Sequence, residues 1–369
     1  MDSARTLALI AAVALAAFPA AGAENAFTQT NLVSDIPDLA KVLDPNLVNP
    51  WGIAFSPTSP FWIANNHTGT ATLYNGMGQP FPLGQPLVVT IPPPENGTPP
   101  ASPTGTVFNG TGKFDLQPGK PALFLFATED GTISGWNPMV NQTNAILKVD
   151  NSRSGAVYKG LALGGTESRP LLYATNFFAG TVDVFNTSFE QISVNGGFRD
   201  EDIPEGFAPF GIRAFREKLY ITYAKQDDAK HDDVAGPGNG FVDVFNMNGH
   251  LLRRLISGGK LNSPWGLAFA PKSFGEFGHD LLVGNFGDGR IHAFGANGEF
   301  AGTLRLPSEE PVTILGLWSL TFGNGGNGGD PNVLFFTAGI PGPGGQLEDH
   351  GLFGSLSPAR AHEHREEAR

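Results

Sequence analysis

The sequence predicts an all-β fold, a six-bladed β-propeller closed by an N-terminal strand in the last blade. Three observations carry this prediction: one short motif occurs six times, four apolar runs follow each other in five of the six copies, and the composition suits strands joined by turns. The 369 residues include 49 Gly, 30 Pro and 29 Phe, and only 16% are charged. Gly and Pro interrupt regular structure, whereas aromatic side chains fill pleated surfaces.

The repeated motif is clearest in PWGIAF at Pro50 and PWGLAF at Pro264. Weaker copies lie between and after these two segments. Successive copies are 53, 55, 51, 55 and 53 residues apart when they are aligned on Gly52, Gly105, Gly160, Gly211, Gly266 and Ser319. Such a period is typical of a repeat architecture. The motif glycine is expected to let the innermost strands of neighbouring blades approach closely.

Each of the first five copies contains four apolar runs that read as short strands. In the first copy these runs are PWGIAF at residue 50, FWIAN at 61, GTATLYN at 69 and PLVVTI at 86. The sixth copy ends at SLSPAR without a fourth run, and the segment AFTQTNLV, residues 26–33, precedes the first copy. We therefore expect residues 26–33 to supply the missing strand, which removes the exposed edge of an open array.

The N-terminus predicts export from the cytoplasm. Arg5 precedes the apolar run LALIAAVALAAF, and small residues follow before Glu24. This pattern is that of a secretory signal peptide, with cleavage near Ala23. The predicted organisation is a signal peptide over residues 1–23, the propeller over 24–356 and a charged, disordered tail over 357–369. The mature protein is expected to be secreted or periplasmic, monomeric and without a membrane span.

Charge and cysteine content exclude several classes of function. The formal net charge is −12 and the sequence contains no Cys. An acidic chain without a basic patch argues against nucleic-acid binding. The lack of Cys excludes disulfide bonds and thiol nucleophiles.

Candidate ligand-binding residues gather at one end of the predicted channel, where the first strands begin and the second strands end. The aromatic side chains there would either stack on a sugar ring or apolar ligand, or simply plug the channel. Nearby polar side chains would either contact the ligand or cap their own turns. The candidates are Trp51, Trp265, Trp318, Asn65, Asn176, Asn285 and Asp288.

Non-repeating residues at the same end suggest a metal site. His67, Glu129, Asp130 and His350 lie on loops of adjacent blades, and imidazole with carboxylate suits a divalent transition metal. A long insertion, residues 226–240, carries four Asp and one His. It is either a lid over the channel that responds to Ca²⁺ or a solvated excursion. No catalytic residue can be assigned from the sequence.

The strand starts with P-x-G-[IL] and a nearby Phe, together with the segment NFFAGTVDVF, residues 176–185, resemble a family of secreted bacterial propellers with NHL-type repeats and no assigned activity. A more distant resemblance is to the gluconolactonase and senescence-marker propellers, which are calcium-dependent. Their carboxylate and amide ligands correspond here to the residues Trp51, Thr104, Lys159, Phe210, Trp265 and Trp318.

The first resemblance implies the fold but no particular activity. The acidic and Asn-rich loops at the top face, without a coherent catalytic set, favour a protein that binds a small molecule, glycan or protein partner there without catalysis. The second implies, as the alternative, a metal-dependent hydrolase or lactonase-like enzyme acting at the top of the channel. Because an aromatic ring with one lysine does not replace an oxygen cage for Ca²⁺, the residues themselves favour the first.

Overall fold

A computed structural model describes residues 26–359 of the chain. The expected signal peptide and residues 360–369 of the expected tail lie outside the described residues. Nearly all regular structure is β, with two single-turn 3₁₀ helices, Ser152–Ser154 and Gly275–Phe277. Within the described range, no helix has the length and apolar character that crossing a bilayer requires.

Two strands precede the first blade, β1 (Phe27–Ser34) and β2 (Val42–Leu43). Blades 1 to 3 each contain a four-stranded antiparallel sheet, and blade 2 carries a small extra hairpin, β8–β9. Their strands are β3 (Pro50–Ala54), β4 (Phe61–Asn65), β5 (Thr70–Tyr74) and β6 (Val88–Thr90); β7 (Pro103–Phe108), β8 (Asp115–Gln117), β9 (Lys120–Pro121), β10 (Phe124–Thr128), β11 (Thr132–Trp136) and β12 (Ile146–Asp150); and β13 (Tyr158–Thr166), β14 (Arg169–Asn176), β15 (Thr181–Phe185) and β16 (Gln191–Ile192).

Blades 4 to 6 continue the same order, and blade 6 recruits β1 and β2 from the N-terminal end. Their own strands are β17 (Phe207–Phe215), β18 (Lys218–Lys225), β19 (Phe241–Asn246) and β20 (Leu251–Ser257); β21 (Pro264–Phe269), β22 (Leu281–Asn285), β23 (Ile291–Phe294) and β24 (Phe300–Thr303); and β25 (Leu317–Phe322), β26 (Leu334–Ile340) and β27 (His350–Pro358). The predicted six-bladed propeller is confirmed.

The ring closes through the N-terminal strand, as the strand count predicted. Strand β1 pairs antiparallel with β27, from Phe27 opposite Pro358 to Ser34 opposite Leu352. Strand β2 then pairs parallel with β1 at the outer edge of blade 6. The last blade therefore joins both ends of the described chain, and β27 extends two residues beyond the boundary of 356 expected from the sequence.

The repeated glycine is required by the approach of adjacent blades. A Cβ built on Gly211 would lie 2.3 Å from the carbonyl oxygen of Trp265, and one on Gly105 would lie 2.4 Å from the amide nitrogen of Leu161. These neighbours are backbone atoms, which cannot rotate away. The motif glycine therefore lies where an innermost strand contacts the next blade, and its near-constant spacing follows from the repetition of this contact.

The buried apolar residues of the described chain form seven clusters. Six of them lie between neighbouring blades, for example Trp62 of blade 1 against Phe124 of blade 2, with ring centroids 4.2 Å apart. The seventh fills the upper part of the central channel. Burial of this apolar surface is the main stabilising contribution in a chain without disulfide bonds.

Candidate functional site

The upper end of the channel, where each first strand begins, is closed by an aromatic plug. Trp51 and Trp318 stack with ring centroids 3.4 Å apart, and Phe286 stacks on the other side of Trp318 at 4.0 Å. Trp51 and Trp318 are each 1% exposed, so neither offers a free face to a ligand. The plug consists of Trp51, Phe177, Phe210, Trp265, Phe286 and Trp318.

A buried ammonium lies against this plug. Lys159, the second residue of β13, is 2% exposed, and its Nζ lies 5.3 Å from the centroid of the Trp51 ring. Nζ forms an ion pair with Glu129 and lies 3.2 Å from Asp232 Oδ1. Burial lowers the pKa of Lys159, but the two carboxylates outweigh it and raise the pKa above its usual value. The ammonium is therefore retained because its charge is compensated on two sides.

Asp232 belongs to the long insertion of blade 4, residues 226–240, which we call the lid. A β-bridge between Gln226 and Asp233 closes the base of a hairpin, and Asp227 Oδ1 accepts a hydrogen bond of 2.9 Å from the amide of His231. His231 Nδ1 lies 2.9 Å from Asp232 Oδ1. This contact is the main reason that the pKa of Asp232 is lowered and that of His231 is raised. The lid thus carries a carboxylate to the mouth of the channel.

Amide side chains extend the network across the mouth. Asn66 Nδ2 donates a hydrogen bond of 2.7 Å to Glu129 Oε2, and Asn49 Nδ2 donates one of 2.9 Å to Glu348 Oε2. Trp318 Nε1 donates to Asn49 Oδ1 at 3.1 Å, which ties the network to the plug. Burial, with the nearby charge of Glu129, raises the pKa of Glu348 to about 7. A carboxyl group with that pKa is half protonated near neutral pH and can donate or accept a hydrogen bond.

The four predicted metal-binding residues are not brought together. His67 is exposed on the turn after β4, Asp130 Oδ2 accepts a hydrogen bond of 2.7 Å from the amide of Ser102, and His350 Nδ1 lies 2.6 Å from Asp35 Oδ2. Among the described residues, the group whose ligand atoms lie within 4.8 Å of one another is Glu129, His231 and Asp232. Only Glu129 is shared with the predicted set.

The predicted asparagines use their amides inside their own blades. Asn65 Nδ2 donates to Thr72 Oγ1 at 2.9 Å, and Asn176 Nδ2 donates to Asp183 Oδ2 at 3.0 Å. Asn285 Nδ2 donates to Lys260 O at 2.8 Å and to Asp288 Oδ1 at 3.1 Å. These contacts agree with the turn-capping alternative and leave Asp288 occupied as an acceptor.

The sequence contains the central residues of the network but does not indicate their contacts with one another. Lys159 occupies the first-strand position that is aromatic in four of the six blades. His231 and Asp232 lie in an insertion whose sequence does not indicate which residues they contact. The signal that could have joined them is the conflict between a buried lysine and its need for carboxylates.

Comparison with curated proteins gives three relatives from Acanthamoeba polyphaga mimivirus, two of which match most of the chain. The uncharacterised protein R648 is 36% identical over 317 residues, which cover 83% of this chain and 75% of the relative. The uncharacterised protein L690 is 33% identical over 299 residues, which cover 78% of this chain and 77% of the relative. No protein-family model matches the chain.

Two solved structures share the fold at low sequence identity. A structural genomics protein of unknown function from Bacteroides thetaiotaomicron is 10% identical with a TM-score of 0.55, covering 90% of this chain and 76% of its own. The PQQ-bound aldose sugar dehydrogenase from Streptomyces coelicolor is 10% identical with a TM-score of 0.51, covering 90% of this chain and 98% of its own. At this identity the likeness concerns the fold alone.

Proposed function

The chain belongs to the same family as the mimivirus proteins R648 and L690, and we propose that it is a ligand-binding propeller whose site lies under the lid. The observation that carries the proposal is the ion pair of Lys159 with Asp232. Asp232 is 67% exposed, whereas Lys159 is 2% exposed. One partner is therefore fixed in the scaffold and the other sits on a loop that solvent reaches.

The ligand is a small carboxylate that carries hydroxyl groups, such as a sugar acid. Its carboxylate replaces that of Asp232 on Lys159 Nζ, because both are the same chemical group and Asp232 is the exposed member of the pair. The amides of Asn49 and Asn66 and the carboxyl of Glu348 lie around the same mouth and suit hydroxyl groups. The plug forms the floor but does not stack on the ligand, since its rings cover each other.

The proposal is tested by calorimetric titration with gluconate and, as the neutral control, glucose. We expect gluconate to bind and glucose to bind at least tenfold more weakly, since glucose lacks the carboxylate. The double variant Lys159→Met, Glu129→Gln should lose gluconate binding. Because both buried partners become neutral, neither is left as an unpaired buried charge. Equal binding of the two probes, or no binding of either, would contradict the proposal.

A metal-dependent hydrolase or lactonase-like enzyme is a second candidate, supported by the proximity of Glu129, His231 and Asp232. Carboxylate and imidazole ligands suit a transition metal such as Zn²⁺, and carboxylates alone suit Ca²⁺. The ammonium of Lys159 already pairs with both carboxylates and competes with a cation. Metal analysis of protein purified without a His tag, together with a hydrolase screen, tests it: stoichiometric metal and turnover that a chelator abolishes would favour it over the binding function.

The site is proposed to work outside the cytoplasm. The N-terminal sequence pattern, with cleavage expected near Ala23, supports secretion or a periplasmic location. Kinship with secreted bacterial propellers that carry NHL-type repeats belongs to the same proposal, since the relatives R648 and L690 are viral. Cell fractionation and N-terminal sequencing of the mature protein test it, and an intact Met1 would contradict it.

A further inference from the structure

The lower half of the channel, on the other side of the plug, holds a partly buried guanidinium without an acidic partner. Arg213 of β17 reaches across the channel, where its Nη1 donates to the carbonyl oxygens of Leu267, at 2.8 Å, and Leu320. Its Nη2 donates to Thr321 Oγ1 at 2.9 Å. No carboxylate of the described residues lies within 4 Å of this guanidinium. The atoms that accept its hydrogen bonds are all neutral.

These bonds leave part of the guanidinium free. Arginine carries five N–H groups, and the three bonds to Leu267, Leu320 and Thr321 use both hydrogens of Nη1 and one of Nη2. The Nε hydrogen and the second Nη2 hydrogen have no acceptor among the described residues. Adjacent Nε and Nη2 donors are the fork that binds a carboxylate through two parallel hydrogen bonds. Burial lowers the pKa of Arg213 to about 10, so the group stays charged at neutral pH.

The guanidinium lines a cavity of about 290 Å³ that has no acidic residue in its walls. A second unused donor lines the same cavity: Thr106 is 6% exposed, and its Oγ1 has no hydrogen-bond partner. The remaining lining is mainly apolar, with Val107, Leu161 and Ile212 among its side chains. Trp265 of the plug also lines this cavity, but Glu129, Lys159 and Asp232 do not, so the cavity is distinct from the site under the lid.

We propose that the lower channel binds a small monocarboxylate with a short apolar body. The carboxylate is held by the free edge of Arg213 and by the Thr106 hydroxyl, and the apolar body lies against the aliphatic walls. A partly buried cation without an acidic partner and a buried hydroxyl without a hydrogen-bond partner line one cavity, and the oxygens of a monocarboxylate offer acceptors to both. The site does not depend on the proposed function of the upper end.

The test is a titration of the full chain with butyrate, in which binding is measured from the NMR line broadening of the butyrate methyl group. Butyramide, which has the same shape without the charge, serves as the neutral control. We expect butyrate to bind and butyramide to bind at least tenfold more weakly. Formate should bind more weakly than butyrate because it lacks the apolar body. Equal binding of butyrate and butyramide, or of butyrate and formate, would overturn the proposal.

Two variants distinguish loss of the binding site from loss of the contacts that Arg213 makes between three blades. Arg213→Met should abolish butyrate binding, but it also removes bonds to blades 5 and 6. Thr106→Val keeps the shape of the wall and removes only the hydroxyl, so it should fold as the wild type and bind butyrate about tenfold more weakly. Unchanged butyrate binding by folded Thr106→Val would overturn the assigned site, and gluconate binding at the upper end should be unaffected in this variant.

Discussion

Lys159 Nζ lies 3.2 Å from Asp232 Oδ1, so a buried ammonium of blade 3 is paired with a carboxylate on the lid of blade 4. The second carboxylate, Glu129, comes from blade 2. One lysine therefore joins three consecutive blades at the upper mouth. Since the plug lies directly beneath it, a molecule entering from this end meets the ion pair first.

Removal of the closing strand should destabilise the whole ring. Deleting residues 27–33 exposes the edge of β27 and the apolar surface that Phe27 covers, and an unpaired edge is a site of aggregation. We expect loss of cooperative thermal unfolding and concentration-dependent association, measured by calorimetry and light scattering. A truncated protein that stays monomeric with the wild-type melting temperature would show that blade 6 does not need β1.

The repeated glycine provides a sharper test of blade packing. Gly211→Ala places a methyl group 2.3 Å from a backbone oxygen of the next blade, so the free energy of unfolding should fall by about 1–3 kcal/mol. Gly344→Ala is the control, because a Cβ there meets nothing within 4 Å. Chemical denaturation measures both. Equal stability of the two variants would contradict the claim that the motif glycine is required by close contact with the backbone of the next blade.

The propeller could be predicted from the sequence because its determinants repeat. The glycine at position 52 recurs in the innermost strands of five of the six blades, and the missing fourth run of the last copy points to the N-terminal segment. The site could not be predicted in the same way. Asp232 meets Lys159 across 73 positions of sequence, through a lid that occurs once and has no periodic pattern. Which loop histidine faces the mouth, His231 rather than His67, depends on the conformation of the lid.

Stability should depend on pH through Glu348. Its pKa in the folded protein is about 7, above the usual 4.5, so the folded state holds more protons than the unfolded state between these values. The free energy of unfolding therefore falls as pH rises through this window. Glu348→Gln cannot ionise and should remove on the order of 1–2 kcal/mol of that fall between pH 4.5 and 7.5.

Asp349→Asn, which alters an exposed neighbour, is the control for this experiment. Denaturation at a series of pH values gives the slopes for the wild type and both variants. A Glu348→Gln slope that matches the wild type would mean that the carboxyl group titrates as it does in the unfolded chain.

Shortening the lid should separate folding from binding. Replacing residues 227–238 by a short Gly turn removes His231 and Asp232 but none of the strands, so the protein should fold while its lysine pairs with Glu129 alone. We expect a native circular dichroism spectrum and an altered affinity for gluconate. If the shortened protein binds gluconate as the wild type does, the insertion has no part in the upper site.

The central claim is that Asp232 holds the place of a ligand carboxylate on Lys159. The most direct measurement is the gluconate dissociation constant of Asp232→Asn against that of Asp228→Asn, which removes the same charge from an exposed position of the same lid. Because the internal competitor is lost only in Asp232→Asn, that variant should bind gluconate roughly three- to tenfold more tightly than the wild type, with Asp228→Asn unchanged. Equal dissociation constants for the two variants, or weaker binding by Asp232→Asn, would contradict the claim.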